Sequence, residues 1–212
     1  MMIARSSGAA AVPSILAVAF AAAAALLPPP ALANAVVGQP APAFTAPDLE
    51  GKSVNLADYK GRTVVLEWHN FGCPFVQKHY RSGNMQALQK KYGADVVWLA
   101  VNSTNETHGD YQTPAKLTAE LRSFGAAPAR YLMDEPGKLG LAYGAKTTPH
   151  MYVIDPAGKL VYNGAIDDKR STDPADVKGA KNYVVAALEE MKAGGPVSTP
   201  STAPYGCTVK YR

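Results

Sequence analysis

The run Thr63-Val64-Val65-Leu66-Glu67-Trp68 is β-branched and apolar, and Cys73-Pro74 follows five residues after it. An apolar run without alternation is the pattern of a strand covered on both faces. Pro74 suits the first position of a helix, where its missing N–H costs nothing. The stretch EWHNFGCPFVQKHY is therefore a buried strand that delivers a cysteine to the start of a helix. A thiol there meets unpaired N–H groups and the positive end of the helix dipole. Both favour the thiolate, which is the reactive form. Lys78 and His79 add positive potential if they face the thiol. The alternative is a buried or permanently bridged structural cysteine.

The elements around this stretch alternate. A hairpin returns through Ser53–Leu56 after the turn Asp48–Lys52, and a helix is predicted from Pro74 to Tyr92, stopped by Gly93. Val96–Val101 is a second buried strand, followed by the polar loop Asn102–Asp110. Thr113-Pro114 opens a helix that ends at Gly125. Arg130–Met133 is a short strand, and Glu135-Pro136 opens a helix ending near Gly144. Met151–Ile154 and Leu160–Tyr162 form a closing hairpin, and Asp173-Pro174 begins a last helix that runs to Gly194-Gly195. Strands that alternate with helices and end in a hairpin imply an α/β sandwich with a central mixed sheet.

The first 33 residues are set apart. Arg5 is followed by an Ala-rich apolar run, Val12–Leu27, then Pro28-Pro29-Pro30 and Ala31-Leu32-Ala33. A positive start, an apolar middle and a small-x-small end read as a secretory signal peptide cut after Ala33. The apolar run breaks before the ~20 residues that a membrane span needs. Cleavage leaves 179 of the 212 residues with a formal charge of +3, since Arg5 is the only charge in the leader. Residues 34–193 are long enough for one domain with its own core, and residues 194–212 form a tail rich in Pro, Ser and Thr. There is no basic run interleaved with aromatics, which argues against a nucleic-acid partner, and no later segment is apolar enough to cross a membrane.

An exported chain lives where disulfides persist. Its two cysteines, Cys73 and Cys207, are most simply one bridge. Gly194–Tyr205 has the composition of a flexible or extended linker and can span on the order of 35 Å, so Cys207 can return to Cys73. Either Cys207 resolves a mixed disulfide on Cys73, or a Cys73–Cys207 bridge is a structural clamp worth roughly 5 kcal/mol in the chain-entropy model. Asp167 and Asp168 are neighbours on a strand end and point to opposite faces. They read as a charged turn that positions the tail or the last helix, with Arg170 able to pair with one of them. His69, His79, His108 and His150 are surface or packing residues by default. A Cys73 metal site with His150 or His69 is the minor alternative. The loop Ser103–Gln112 is a good place for partner specificity.

The spacing Trp68-x-x-x-x-Cys73-Pro74, the Thr148-Pro149 pair before a strand and the order of elements resemble the thioredoxin fold. The entry segment GQPAPAFTAPDLEGKSVNLADYKGRTVVLEW resembles the redoxin branch, the alkyl hydroperoxide reductase/thiol-specific antioxidant superfamily. FGCPFVQKHYRSGNMQ, Ile166-Asp167-Asp168 and the terminal GCTVKY are similar to its peroxiredoxin-like exported group. The resemblance implies a cis-proline at Pro149 across from Cys73, with the Thr148 backbone facing a bound partner chain. It implies that Cys73, with Pro74 behind it, matches the attacking cysteine of thioredoxins. The second thioredoxin cysteine, which is also the peroxide-attacking cysteine of peroxiredoxins, falls at Val76. Peroxide reduction by the usual mechanism is then not expected. Trp68 reads as a wall of the site or a core residue, and His150, which follows Pro149, would lie near Cys73 in such a fold.

Two function classes follow. One is an exported, most simply periplasmic, thiol–disulfide oxidoreductase with antioxidant or disulfide-exchange chemistry, needing no cofactor. Its partners would be a thiol or disulfide protein, or a small oxidant, and a reductant that the sequence does not name. The other is a thioredoxin-fold binding module with a permanent Cys73–Cys207 disulfide, or a metal-carrier variant of it.

Overall fold

The computed structural model describes Met1, Met2 and residues 34–212, so the expected leader lies outside the described residues apart from its first two. The first elements form a hairpin, β1 (Thr45–Pro47) and β2 (Ser53–Asn55). Its turn is held by the Asp48 carboxylate, which accepts the N–H groups of Glu50 and Lys52 at 2.9 Å each, as Asx side chains do in turns. There follow β3 (Thr63–Trp68), α1 (Pro74–Arg81), α2 (Asn84–Tyr92), β4 (Val96–Asn102), α3 (Pro114–Phe124), β5 (Arg130–Met133) and α4 (Lys138–Tyr143). The short β6 (Thr147–Thr148) leads into β7 (His150–Ile154) and β8 (Leu160–Gly164), then α5 (Tyr183–Lys192) and the terminal β9 (Cys207–Thr208).

The central sheet has the order β5-β4-β3-β7-β8. β3, β4 and β5 run parallel, β7 is antiparallel to β3, and β8 is antiparallel to β7. β3 therefore sits mid-sheet, as its unbroken apolar run requires. Its side chains alternate between two cores. Val64, Leu66 and Trp68 pack with Leu139 and Tyr143 of α4 and with Ala46 and Val54 of the hairpin. Val65 faces the other core, built with Tyr80, Leu88, Leu117 and Leu188 from α1, α2, α3 and α5. Each fully buried aliphatic side chain of this kind stabilises by about 1.5–3 kcal/mol. The result is the α/β sandwich with a central mixed sheet that the order of elements implied.

Three expectations need correction. The helix over 74–92 is two helices. Gly83 adopts φ 73° between them, a left-handed conformation that glycine takes without steric cost. The last helix is also divided. Pro174–Gly179 is a 3-10 turn, and α5 restarts after Asn182, whose side chain accepts the Val185 N–H at 2.9 Å.

The third correction is the tail, which is not a loose linker. The Asn163 N–H donates to the Pro200 carbonyl at 3.1 Å, and the Thr202 N–H donates back to the Asn163 carbonyl at 3.1 Å. The Thr202 hydroxyl accepts the Ala165 N–H at 2.9 Å. Tyr205 and Val209 are buried in the two cores, and β9 pairs antiparallel with β6. Composition hid this. The segment has no periodic apolar pattern because it is anchored by single residues and backbone bonds to the edge of the domain.

Candidate active site

Asn70 shapes the turn between β3 and α1. Its side-chain oxygen accepts the Gly72 N–H at 2.7 Å, and its carbonyl accepts the Cys73 N–H at 3.0 Å. Cys73 then caps α1 in an extended conformation, with Pro74 in the first helical turn. The Cys73 thiol donates to the Thr148 carbonyl at 3.0 Å. The Thr148–Pro149 peptide bond is cis. Register pairs Thr148 with Cys207, and the Cys207 N–H points at Cys73 Sγ from 3.4 Å. Cys73, Cys207, Thr148 and Pro149 thus meet at one place, and both cysteines are thiols.

Cys73 is 3 % exposed, whereas Cys207 is partly open. Burial, followed by the adjoining Cys73 sulfur, pushes the Cys207 thiol up to about 12. Beside the pair lies a small cavity of about 70 Å³ with a mixed polar and apolar lining, which includes Asn70, Thr104, Asp110 and Lys210. Ser103, Thr104 and Asp110 come from the loop expected to carry specificity.

The remaining predicted residues serve other ends. Trp68 is fully buried, with ring centroids 5.4 Å from Tyr143 and 5.1 Å from Tyr152, and donates to Ser103 Oγ at 3.0 Å. It is a core residue. His150 accepts the Lys146 N–H on Nδ1 at 3.2 Å, so Nε2 carries the proton and donates to Asn163 Oδ1 at 2.8 Å. Burial holds it neutral, down to about 4. With both nitrogens engaged it braces β7 and β8. His69 also lines the cavity. Its Nδ1 meets the Tyr131 hydroxyl at 2.9 Å, while Nε2 is buried with no partner among the described residues.

Lys78 and His79 do not face the thiol. Lys78 is fully buried and donates to Asp167 Oδ2 at 3.3 Å and to the Lys169 carbonyl at 2.6 Å. His79 Nε2 lies 3.8 Å from the same carboxylate. The Tyr205 hydroxyl donates to the other Asp167 oxygen. Asp167 therefore takes its cation from α1, and Arg170 is not the partner. Asp168 accepts the Lys181 N–H at 2.9 Å, ahead of α5. The two acids hold the tail and the last helix, as a positioning turn would.

Sequence reasoning passed over Glu67 and Tyr205. Glu67 is fully buried between the Tyr80 hydroxyl, at 3.1 Å, and Trp98 Nε1, at 2.9 Å. Burial raises it to about 7, against the pull of those two hydrogen bonds. The signal was present, as a lone acid inside a strand covered on both faces. Tyr205 carried none beyond being aromatic in a Pro/Ser/Thr tail.

A cysteine capping the first helix of such a sheet, opposite a cis-proline, defines a thioredoxin-like redoxin. The AhpC/TSA family matches residues 37–163, and the chain belongs to that family. It is 27 % identical over 126 residues to the thiol-disulfide oxidoreductase ResA of Bacillus thuringiensis subsp. konkukian, which covers 59 % of this chain and 67 % of ResA. It is 29 % identical over 142 residues to the chloroplastic peroxiredoxin Q of Suaeda salsa, covering 64 % of each. Among solved structures, an uncharacterized conserved protein from Geobacillus kaustophilus superposes with a TM-score of 0.71 at 26 % identity, covering 84 % of this chain and 93 % of that one.

Proposed function

We propose that this protein is an exported thiol–disulfide oxidoreductase in which Cys73 attacks and Cys207 resolves. The observation that carries the reading is the junction itself, where the Cys207 backbone N–H lies 3.4 Å from Cys73 Sγ. In the first step the Cys73 thiolate bonds to one sulfur of a substrate disulfide and the other sulfur leaves as thiolate. In the second, Cys207 gives up its proton and bonds to Cys73, expelling the remaining substrate sulfur as thiolate. The substrate gains two electrons and the Cys73–Cys207 pair loses them, so an external dithiol must restore the pair.

The environment of Cys207 supports this order. Burial and the adjoining Cys73 sulfur hold the Cys207 thiol up and so favour its protonated form, which leaves the first attack to Cys73.

The proposed mature chain begins after Ala33, with a redoxin domain over 34–193 and the tail over 194–212. Export to the periplasm rests on the leader-like composition of residues 1–33. Among the described residues no helix is long and apolar enough to cross a membrane.

The test is trapping. The Cys207→Ser variant, mixed with a small aromatic disulfide, is expected to hold one adduct on Cys73, while the unaltered protein proceeds to a Cys73–Cys207 bridge. Multiple turnover by the variant with no adduct counts against the mechanism. A redox titration by intact mass sharpens it. A bridge that opens above about −300 mV cycles, and one that resists until lower potentials is a clamp.

A further inference from the structure

We propose that residues 201–209 are an autoinhibitory strap, a strand that the chain lays on its own Thr147–Thr148 edge, latched at Tyr205, which closes Cys73 to anything larger than a small molecule. The consequence for turnover rests on Cys73 being the attacking thiolate; the closure itself does not.

β6 has a single strand partner among the described residues. Thr147 pairs with Thr208, and Thr148 with Cys207. Without β9 these backbone groups would form an open edge, the kind that takes up an extended chain. The strap fills that edge with an extended segment whose own cysteine stands beside Cys73. A cavity of about 70 Å³ remains next to the thiol, room for a few water-sized molecules and not for a polypeptide.

Two features set the strap in place, and neither belongs to the thiol chemistry. The first is the latch. The Tyr205 hydroxyl donates to Asp167, the acid that Lys78 neutralises, and its ring meets Phe75 edge-on at 5.8 Å. Buried charges need such partners. The strap supplies one of them, so lifting it leaves the cluster short of a donor. The second is Gly206, between the latch and Cys207. Its φ is 138°, and a Cβ on it would run into the Thr148 carbonyl. Glycine permits the close approach, and alanine would push β9 off β6.

The test compares two maleimides on Cys73, in the otherwise full mature chain carrying Cys207→Ser so that one thiol is read. N-ethylmaleimide is the small reagent, and a polyethylene glycol maleimide of protein-like bulk is the large one. With the strap closed, the bulky reagent is expected to lag far behind the small one. Adding Gly206→Ala, or separately Tyr205→Phe, is expected to raise the bulky rate roughly tenfold, about what one hydrogen bond is worth, with little change in the small-reagent rate. Equal rates for both reagents before the strap is altered overturn the proposal. So does an unchanged ratio in both strap variants. So does a parallel rise of both rates with loss of the near-ultraviolet circular dichroism, which means that the whole fold has loosened. The readout needs no disulfide exchange, so it separates failure of the strap from failure of the redox reading.

Discussion

Two buried carboxyl groups take hydrogen bonds from α1, and they are held in opposite ways. Glu67 receives the Tyr80 hydroxyl and the Trp98 indole N–H and has no cation beside it among the described residues. Asp167 receives the Lys78 ammonium, the Lys169 N–H at 2.9 Å and the Tyr205 hydroxyl. Both are almost wholly shielded from water. Burial disfavours a charge unless something of opposite sign comes with it. Glu67 is therefore pushed towards its neutral form, while Asp167 is built into an ion pair. The first belongs to the core of the sheet, and the second fastens the tail over the domain.

The largest effect should come from breaking the ion pair. Lys78→Met keeps the volume and leaves Asp167 as an uncompensated buried charge, which costs about 3–5 kcal/mol. The urea midpoint should fall accordingly. Adding Asp167→Asn should recover more than half of the loss, because the remaining N–H and O–H donors still find an acceptor. If the double variant is as unstable as the single one, packing of the Lys78 stem is the cause and the charge argument fails.

The Glu67 effect is smaller and depends on pH. Its folded value, about 7, lies above the ordinary 4.5. The folded state therefore binds the proton more tightly, and stability is lost as pH rises from 4.5 to 7. Glu67→Gln removes that loss. The variant should match the unaltered protein near pH 4 and exceed it by about 3 kcal/mol above pH 7. Parallel stability curves across that range would mean that Glu67 is charged in the folded protein.

The difference between the two acids also marks what could be read in advance. The strand Thr63–Trp68, the Thr113-Pro114 start with its Gly125 stop, and the Cys73-Pro74 junction are local patterns, and the fold follows from them. Glu67 was legible in principle, since nothing in the neighbouring apolar run explains an acid there. The Asp167 cluster was not. Its cation lies 89 residues away on α1, whereas the nearer Arg170 takes no part. The tail failed for the same reason. Tyr205 and Val209 are isolated anchors whose partners are fixed by tertiary packing, and no periodicity announces them. Gly83 was visible as a glycine, but its left-handed φ depends on how α1 and α2 turn against the sheet.

His79 refines the Asp167 side. Burial lowers it to about 4, with Lys78 adding to the shift and Asp167 opposing it. The folded state thus prefers the neutral ring. Its contribution is present above pH 6.5 and is lost as pH falls towards 4. His79→Gln should reduce the stability lost between pH 7 and pH 5 by about 2 kcal/mol. A variant whose acid limb is unchanged would mean that Asp167 compensates the imidazolium fully.

The smallest effect is expected at an ion pair with better geometry than any of these. Lys91 Nζ lies 2.7 Å from Glu189, closer than Lys78 lies to Asp167, yet both side chains are exposed. Water already solvates each charge there, and holding two long side chains together costs entropy, so such pairs contribute little. Lys91→Ala should leave the thermal midpoint within its reproducibility at moderate salt. The ammonium's hydrogen bond to the Tyr92 hydroxyl, at 2.9 Å, and its cation–π contact with that ring, 4.6 Å from the centroid, would go with the ion pair, and the Lys91 side chain that makes them is exposed to water. A drop comparable to that of Lys78→Met would break the contrast, because distance rather than burial would then decide what a charge pair is worth in this protein.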